Sequence, residues 1–139
     1  MPLVILVYTK INPPTLYQFL IFTIFMSKFS KLALEDLEKV IGLSATSPIC
    51  VAEVQAGVKA GEEEKTSNFL NSLKIYVVDQ RIANKAGGYM REYKKKGTTL
   101  LLPDALIAAT CTTNNIALGT YNTKHYPMPE IKFIQSLLK

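Results

Sequence analysis

The stretch 101–126, LLPDALIAATCTTNNIALGTYNTKHY, constrains this chain more than any other. It sets one acid, Asp104, near the start of a run that is otherwise almost wholly apolar. Pro103 suits the first helical position, where its missing N–H goes unused. Ala105, Leu106, Ile107, Ala108, Ala109 and Cys111 leave no polar face, so this helix is expected to be buried. Asn114 and Asn115 break it, residues 116–119 read as a short buried strand, and a polar loop runs from 120 to 125. A carboxylate beside a buried helix is costly unless something binds it. A metal ion or a basic partner is the usual answer.

The rest of the chain alternates short apolar runs with helical periods. Strands are predicted at 3–8, 45–50, 74–78 and 116–120. Residues 3–7 form a continuous apolar run, as a central parallel strand requires. Pro13-Pro14 stops it, and Thr15 can cap a hydrophobic helix over 15–27. Leu32, Leu34, Leu37, Val40 and Ile41 keep a helical period over 32–43. A helix over 51–60 is expected to end at Gly61, and Glu62, Glu63 and Glu64 suit the first turn of the next. Asp79 can cap a helix over 80–96, with Gly97 after it. Ile131, Phe133 and Ile134 suggest a last edge strand. This alternation predicts one α/β domain over 1–139, a three-layer α/β/α sandwich on a central parallel sheet.

Composition narrows the function class. With 48% apolar and 19% charged residues, the chain is neither disordered nor an ordinary membrane protein. The run 16–26, LYQFLIFTIFM, is shorter than the ~20 residues a spanning helix needs and lacks a signal peptide's flanks. It reads as a buried or subunit-contact helix, with membrane association as the alternative. The net charge of +5 favours a polyanionic partner mildly. Cys50 and Cys111 both sit in apolar runs and read as buried thiols of a reducing compartment. Two cysteines and one histidine do not make a zinc site.

In a parallel sheet, ligands bind at the carboxyl ends of the strands. Glu53 follows the second predicted strand, Thr120, Asn122 and His125 follow the fourth, and Asp104 starts the helix before it. All five are expected on one rim. Gly57 and Ala108, one turn beyond each acid, let the backbones pack closely enough for Glu53 and Asp104 to converge. The plainer readings are a solvated helix residue for Glu53 and a helix-capping acid for Asp104. Lys94, Lys95 and Lys96 form a solvated helix end or touch RNA phosphates. Tyr89 and Tyr93, four apart, read as core or interface residues.

Three pieces, SPICVAEVQAG at 47–57, LPDALIAAT at 102–110 and ALGTYNTKHY at 117–126, together resemble the PIN domain family. They look closest to the VapC-type toxin ribonucleases of toxin–antitoxin pairs. The resemblance covers roughly 44–139, while residues 1–43 match poorly. It implies a Mg²⁺- or Mn²⁺-dependent endoribonuclease, in which a carboxylate cluster holds the metal and the metal activates water. Glu53 and Asp104 take two acid positions as metal ligands, and Asn122 takes a third catalytic position without adding charge. Thr9, Thr120, Lys124 and His125 are the implied substrate contacts. The implied setting is a cytoplasmic homodimer that acts on RNA and is neutralised by a cognate antitoxin.

The departure lies at the N-terminus. PIN domains open on a strand ending in Asp-Thr. Here the run 3–11 fits that strand with Thr9 matching, but Tyr8 stands where the Asp belongs. A second register over 19–26 puts Phe22 there instead. A neutral phenol, with a reference pKa of ~10, is a poor Mg²⁺ ligand. Impaired catalysis follows, and the rival reading is an inactive PIN fold kept as an RNA- or protein-binding module. An altered reading frame near the N-terminus would equally explain the poor fit.

Overall fold

The computed structural model describes residues 4–6, 44–119 and 123–133. Expectations for the helices over 15–27 and 32–43, and for Tyr8, Thr9, Phe22, Thr120 and Asn122, lie outside these residues.

Four short strands form one sheet: β1 Val4–Leu6, β2 Ser44–Thr46, β3 Lys74–Ile75 and β4 Ala117–Gly119, in the order β3-β2-β1-β4. Every pairing is parallel, with Val4 opposite both Ser44 and Ala117 and Thr46 opposite Ile75. The apolar β1 occupies the centre, where a strand covered on both faces belongs. Beyond β4, Phe133 bridges Leu118 in parallel, and the Leu118 N–H donates to the Lys132 carbonyl at 2.7 Å. Among the described residues the expected edge strand is thus present as a single bridge.

The second strand is shorter than predicted. It stops at Thr46, and α1 runs Pro48–Gly57, so residues 48–50 are helix rather than strand. The Ser47 hydroxyl accepts from the Cys50 N–H at 3.3 Å, and Pro48 sits in the first turn with no N–H to waste. That Ser-Pro start signal outweighs the apolar Ile49-Cys50 pair. Glu53 consequently lies one and a half turns into α1 instead of directly after the strand. The helix also ends at Gly57, short of Gly61.

Three further helices follow: α2 Glu63–Ser72, α3 Gln80–Lys95 and α4 Leu102–Asn114. β3 is confined to Lys74–Ile75, and Val77 is exposed, so the predicted strand over 74–78 is cut short. Asp79 caps α3 as expected, its carboxylate accepting from the Ile82 N–H at 3.0 Å. Gly97 takes the left-handed backbone, φ +84, that closes α3. Asn115 does the same for α4, at φ 52.

The core forms where α3 packs on α4. α3 contributes Ile82, Ala86, Tyr89 and Tyr93, and α4 contributes Ala105, Ile107, Ala108, Ala109 and Cys111. Buried alanines at 105, 108 and 109 give α4 a low-relief surface for larger neighbours. Burying Ile82, Ile107 and Leu118 completely contributes roughly 1.5–3 kcal/mol each. Both α3 tyrosines are core residues whose hydroxyls still find partners. Tyr93 donates to the Pro127 carbonyl at 3.0 Å, and Tyr89 pairs with Thr112 and Glu130. These bonds tie the segment after the sheet back onto α3. Cys50 and Cys111 are buried and form no disulfide, and burial pushes the Cys111 thiol upward. No helix of the described residues is long and apolar enough to cross a membrane.

Candidate active site

Asp104 is the third residue of α4. It is not the cap: Leu101 holds that position and offers no side-chain bond. A first-turn carboxylate instead faces the positive end of the helix dipole. Its side chain is 15% exposed, and both oxygens are engaged. His125 Nδ1 lies 3.2 Å from Oδ2, and the Tyr126 hydroxyl donates to Oδ1 at 3.3 Å. Burial raises the Asp104 carboxyl above its ordinary range, against the opposing charge of His125 and the hydrogen bonds from Tyr126 and His125. The carboxylate is therefore kept in an environment that disfavours its charge unless cations or donors surround it.

The turn that follows the fourth strand delivers those donors. Thr123–His125 form one 3₁₀ turn, which brings Lys124 and His125 to the start of α4. With Thr98, Thr99, Leu100, Leu101 and Asp104 they line a cavity of about 210 Å³. Asp104, Lys124 and His125, named from the sequence as one site, thus meet in one place. Tyr126 was not among the residues named. It is fully buried, and burial beside Asp104 pushes its phenol upward, so the hydroxyl remains a donor. Its signal was its position, the first aromatic after a polar loop. Thr98 and Thr99 carried none.

Glu53 lies on α1, which touches α4 and buries Cys50 in the core shared with it. Its Oε2 is shielded from solvent. A wholly solvated Glu53 is therefore ruled out. At the carboxyl end of β2, the Thr46 hydroxyl is buried and has no hydrogen-bond partner among the described residues. An orphaned buried polar atom at a strand end is one a ligand or water commonly satisfies. Glu53 and Asp104 are hard oxygen donors, the kind a Mg²⁺ ion takes. Among the described residues no three His, Cys, Asp or Glu side chains cluster to hold a metal. The other two positions named from the sequence, 8 and 122, lie outside them.

Comparison with known proteins agrees with this arrangement. The PIN domain family profile matches residues 18–131, a range that begins beyond β1. Ribonuclease VapC10 of Mycobacterium tuberculosis is 34% identical over 89 residues, 64% of this chain and 67% of that protein. A toxin–antitoxin complex from Klebsiella pneumoniae superposes with a TM-score of 0.65 at 30% identity, over 82% of this chain and 91% of that one. DNA-bound VapBC from Salmonella typhimurium gives 0.73 at 21% identity, over 96% and 98%, which speaks for the fold alone. With a parallel sheet in this order, the Asp104 site at the head of α4, and a profile match over most of its length, the chain belongs to the PIN domain family.

Proposed function

We propose that this protein is an endoribonuclease of the VapC toxin type, dependent on Mg²⁺ or Mn²⁺, and weakened by Tyr8 at the position of a metal-binding acid. The observation that carries this reading is Asp104: a carboxylate largely withdrawn from water and ringed by donors, in a cavity shared with Lys124 and His125. A structural acid in that position would cost stability for no return.

Glu53 and Asp104 would hold the metal, with Asn122 as a neutral third group. When bound, the ion supplies Lewis acidity toward the phosphodiester and a more acidic water. The chain's own groups bind and orient. Lys124 offers the phosphate a positive charge and His125 offers a ring N–H. Thr98 and Thr99 place hydroxyls along the same wall, and Leu101 gives the cavity an apolar lip. Thr9 and Thr120 complete the substrate contacts in this reading. Tyr126 fixes the Asp104 carboxylate and does not itself meet the RNA, since it is buried. The single domain over 1–139, the homodimer and the cytoplasmic setting belong to the same proposal. A small antitoxin is the proposed partner, supported by the toxin–antitoxin complexes among the structural neighbours.

The test uses purified protein, a labelled structured RNA, Mg²⁺ and a chelator control. The unmodified chain is expected to cleave weakly or not at all, and Tyr8→Asp to raise Mg²⁺-dependent cleavage. Vigorous chelator-sensitive cleavage by the unmodified chain would show that Tyr8 is not at the metal position. No gain on Tyr8→Asp would move attention to the second register and Phe22→Asp. No gain from either would leave the inactive binding module.

A further inference from the structure

A second surface of the molecule has the chemistry of a polyanion site. A groove of about 420 Å³ runs along the outside of α3, lined by Lys85, Gly88, Tyr89, Arg91, Glu92 and Lys95. Lys85, Arg91 and Lys95 make no ion pair with any described residue. The one acid in the lining is already matched, because Glu92 pairs with Lys96 at 2.7 Å, and Lys96 is held over the Tyr93 ring at 4.8 Å. Tyr89 forms the wall through its buried ring, and its hydroxyl is spent on Thr112 and Glu130. Arg91 and Lys95 thus have no matching charge among the described residues, and Lys85 lies over the Tyr89 ring at 5.9 Å with its charge reaching Glu130, so three cations share one groove with a neutralised carboxylate.

Gly88, which lines that groove, carries the second observation. Gly87 and Gly88 stand side by side in the middle of a 16-residue helix. Glycine is the poorest helix former after proline. A Cβ at either position would meet nothing within 4 Å among the described residues, so no packing there calls for them. Bare backbone kept at a helix surface suits the close approach of something from outside.

We propose that this groove binds the phosphate backbone of structured RNA, at a site apart from the Asp104 cavity. The proposal takes from the previous section only that RNA is the substrate. The separation follows from α4 itself. Tyr89 reaches Thr112, eight residues and about 12 Å of helix beyond Asp104. Along α3 the cations at 85, 91 and 95 are staggered by axial rises of about 9 and 6 Å, a spacing suited to successive phosphates. Arg91 can fork two bonds to one phosphate, and the two lysines act as point charges. A second copy of the chain is a poor occupant, since its own three cations would face these. The groove offers no free aromatic face and few groups for reading bases, so recognition here is of backbone and shape.

The test is binding rather than cleavage, in chelator and on an Asp104→Asn background, with a labelled RNA hairpin read by fluorescence anisotropy across a salt series. Replacing Lys85, Arg91 and Lys95 by Gln together is expected to weaken binding at least tenfold. The log–log salt slope should fall by about 2–3, as three lost phosphate contacts require. Removing equal charge elsewhere, by Lys65→Gln, Lys74→Gln and Lys132→Gln, should cost less than threefold. Gly88→Leu should lower RNA affinity about fivefold or more while the melting temperature holds or rises, a combination a merely structural glycine would not give. Equal affinity and slope for the groove and control variants would overturn the proposal. So would a polyglutamate peptide that binds the groove as tightly as RNA, which would make an acidic protein segment the occupant. Groove-dependent binding by a chain that cleaves nothing, even after Tyr8→Asp or Phe22→Asp, leaves this site standing and removes the nuclease reading. Metal-dependent cleavage with groove variants that bind unchanged does the reverse.

Discussion

The two ends of α4 each hold a carboxylate that accepts a bond from a tyrosine hydroxyl, and they have opposite energetics. At the start of the helix, Tyr126 donates to Asp104 at 3.3 Å. Beside its last turn, Tyr89 donates to Glu130 at 2.8 Å. The Asp104 carboxyl is raised by burial, whereas the Glu130 carboxyl is lowered by its bond from Tyr89. Glu130 is exposed and gains from its partner, as a structural tie should. Asp104 is withdrawn from water, and its partners do not fully compensate. Under the proposed function, the arrangement at Asp104 is that of an acid kept for chemistry at a cost in stability.

The largest expected effect breaks the comparison at its functional end. In the Tyr8→Asp background, Asp104→Asn should lower Mg²⁺-dependent cleavage by about 100-fold or more, because the metal loses an anionic ligand. The same substitution should leave the neutral-pH melting temperature unchanged or raise it, since an amide carries no burial cost for charge. Single-turnover cleavage and a thermal melt on one preparation check both halves. A clear fall in melting temperature would make Asp104 a structural acid and dissolve the contrast.

The next effect concerns the residue that shields the acid. His125→Ala removes the ring 3.2 Å from Asp104 and one wall of the cavity. Groups that orient a ligating side chain are worth roughly 10–100-fold in metal affinity or activity. The variant should sit near the lower figure, and it should melt lower because Asp104 loses its nearest compensating charge. Isothermal Mn²⁺ titration alongside cleavage assays separates loss of metal from loss of substrate contact. In the Tyr8→Asp background, cleavage equal to the parent's with a lower melting temperature would make His125 only a stabiliser.

The contrast between the ends of α4 also shows what the sequence could and could not disclose. The parallel sheet was legible because Val4, Ile5 and Leu6 form an uninterrupted apolar run, and Asp79 and Asn115 announce helix ends through their own side-chain and backbone chemistry. The boundary of β2 was misread because Ile49 and Cys50 look like strand, while the capping hydroxyl of Ser47 decides otherwise. Asp104 stood out as a lone acid in an apolar helix, and the polar loop pointed to Lys124 and His125. Tyr126 was hidden because a tyrosine's role depends on where its hydroxyl lands, which only tertiary packing determines. The same holds for Tyr89: its spacing to Tyr93 foretold burial, but its bonds to Thr112 and Glu130 join residues 23 and 41 positions away.

Tyr89→Phe sharpens the structural end. It keeps the ring in the core and removes the bonds to Thr112 and Glu130. Thr112 retains its bond to the Ala108 carbonyl at 3.1 Å, so little is left buried and unsatisfied. The cost should be about 1 kcal/mol, or roughly 3–5 °C in melting temperature for a chain of this size. In the Tyr8→Asp background, metal-dependent cleavage of a short single-stranded RNA should not change. A hundredfold loss of cleavage would mean that the two ends of α4 are coupled.

The smallest effect is the pH dependence, and its sign differs between the two acids. The folded Asp104 carboxyl lies above its ordinary value, so the folded state holds its proton to higher pH than the unfolded chain does. Stability from this group is therefore lost as pH rises from about 4 toward the raised value, and nothing further changes beyond it. Glu130 behaves oppositely. Its folded carboxyl lies below the ordinary value, so its contribution is present at neutral pH and disappears as pH falls through that lowered value. Its exposure keeps the contribution small. Melting curves from pH 3 to 7 at low salt should show Asp104→Asn gaining on the unmodified chain as pH rises, and Glu130→Gln falling behind it over the same range. Raising the salt should shrink the Glu130 difference more than the Asp104 difference, because screening reaches the exposed pair and burial is indifferent to it. If both differences ran in the same direction, the opposition between the helix ends would be a property of the whole chain's charge, and Asp104 would lose its distinction as the acid that the fold holds at a cost.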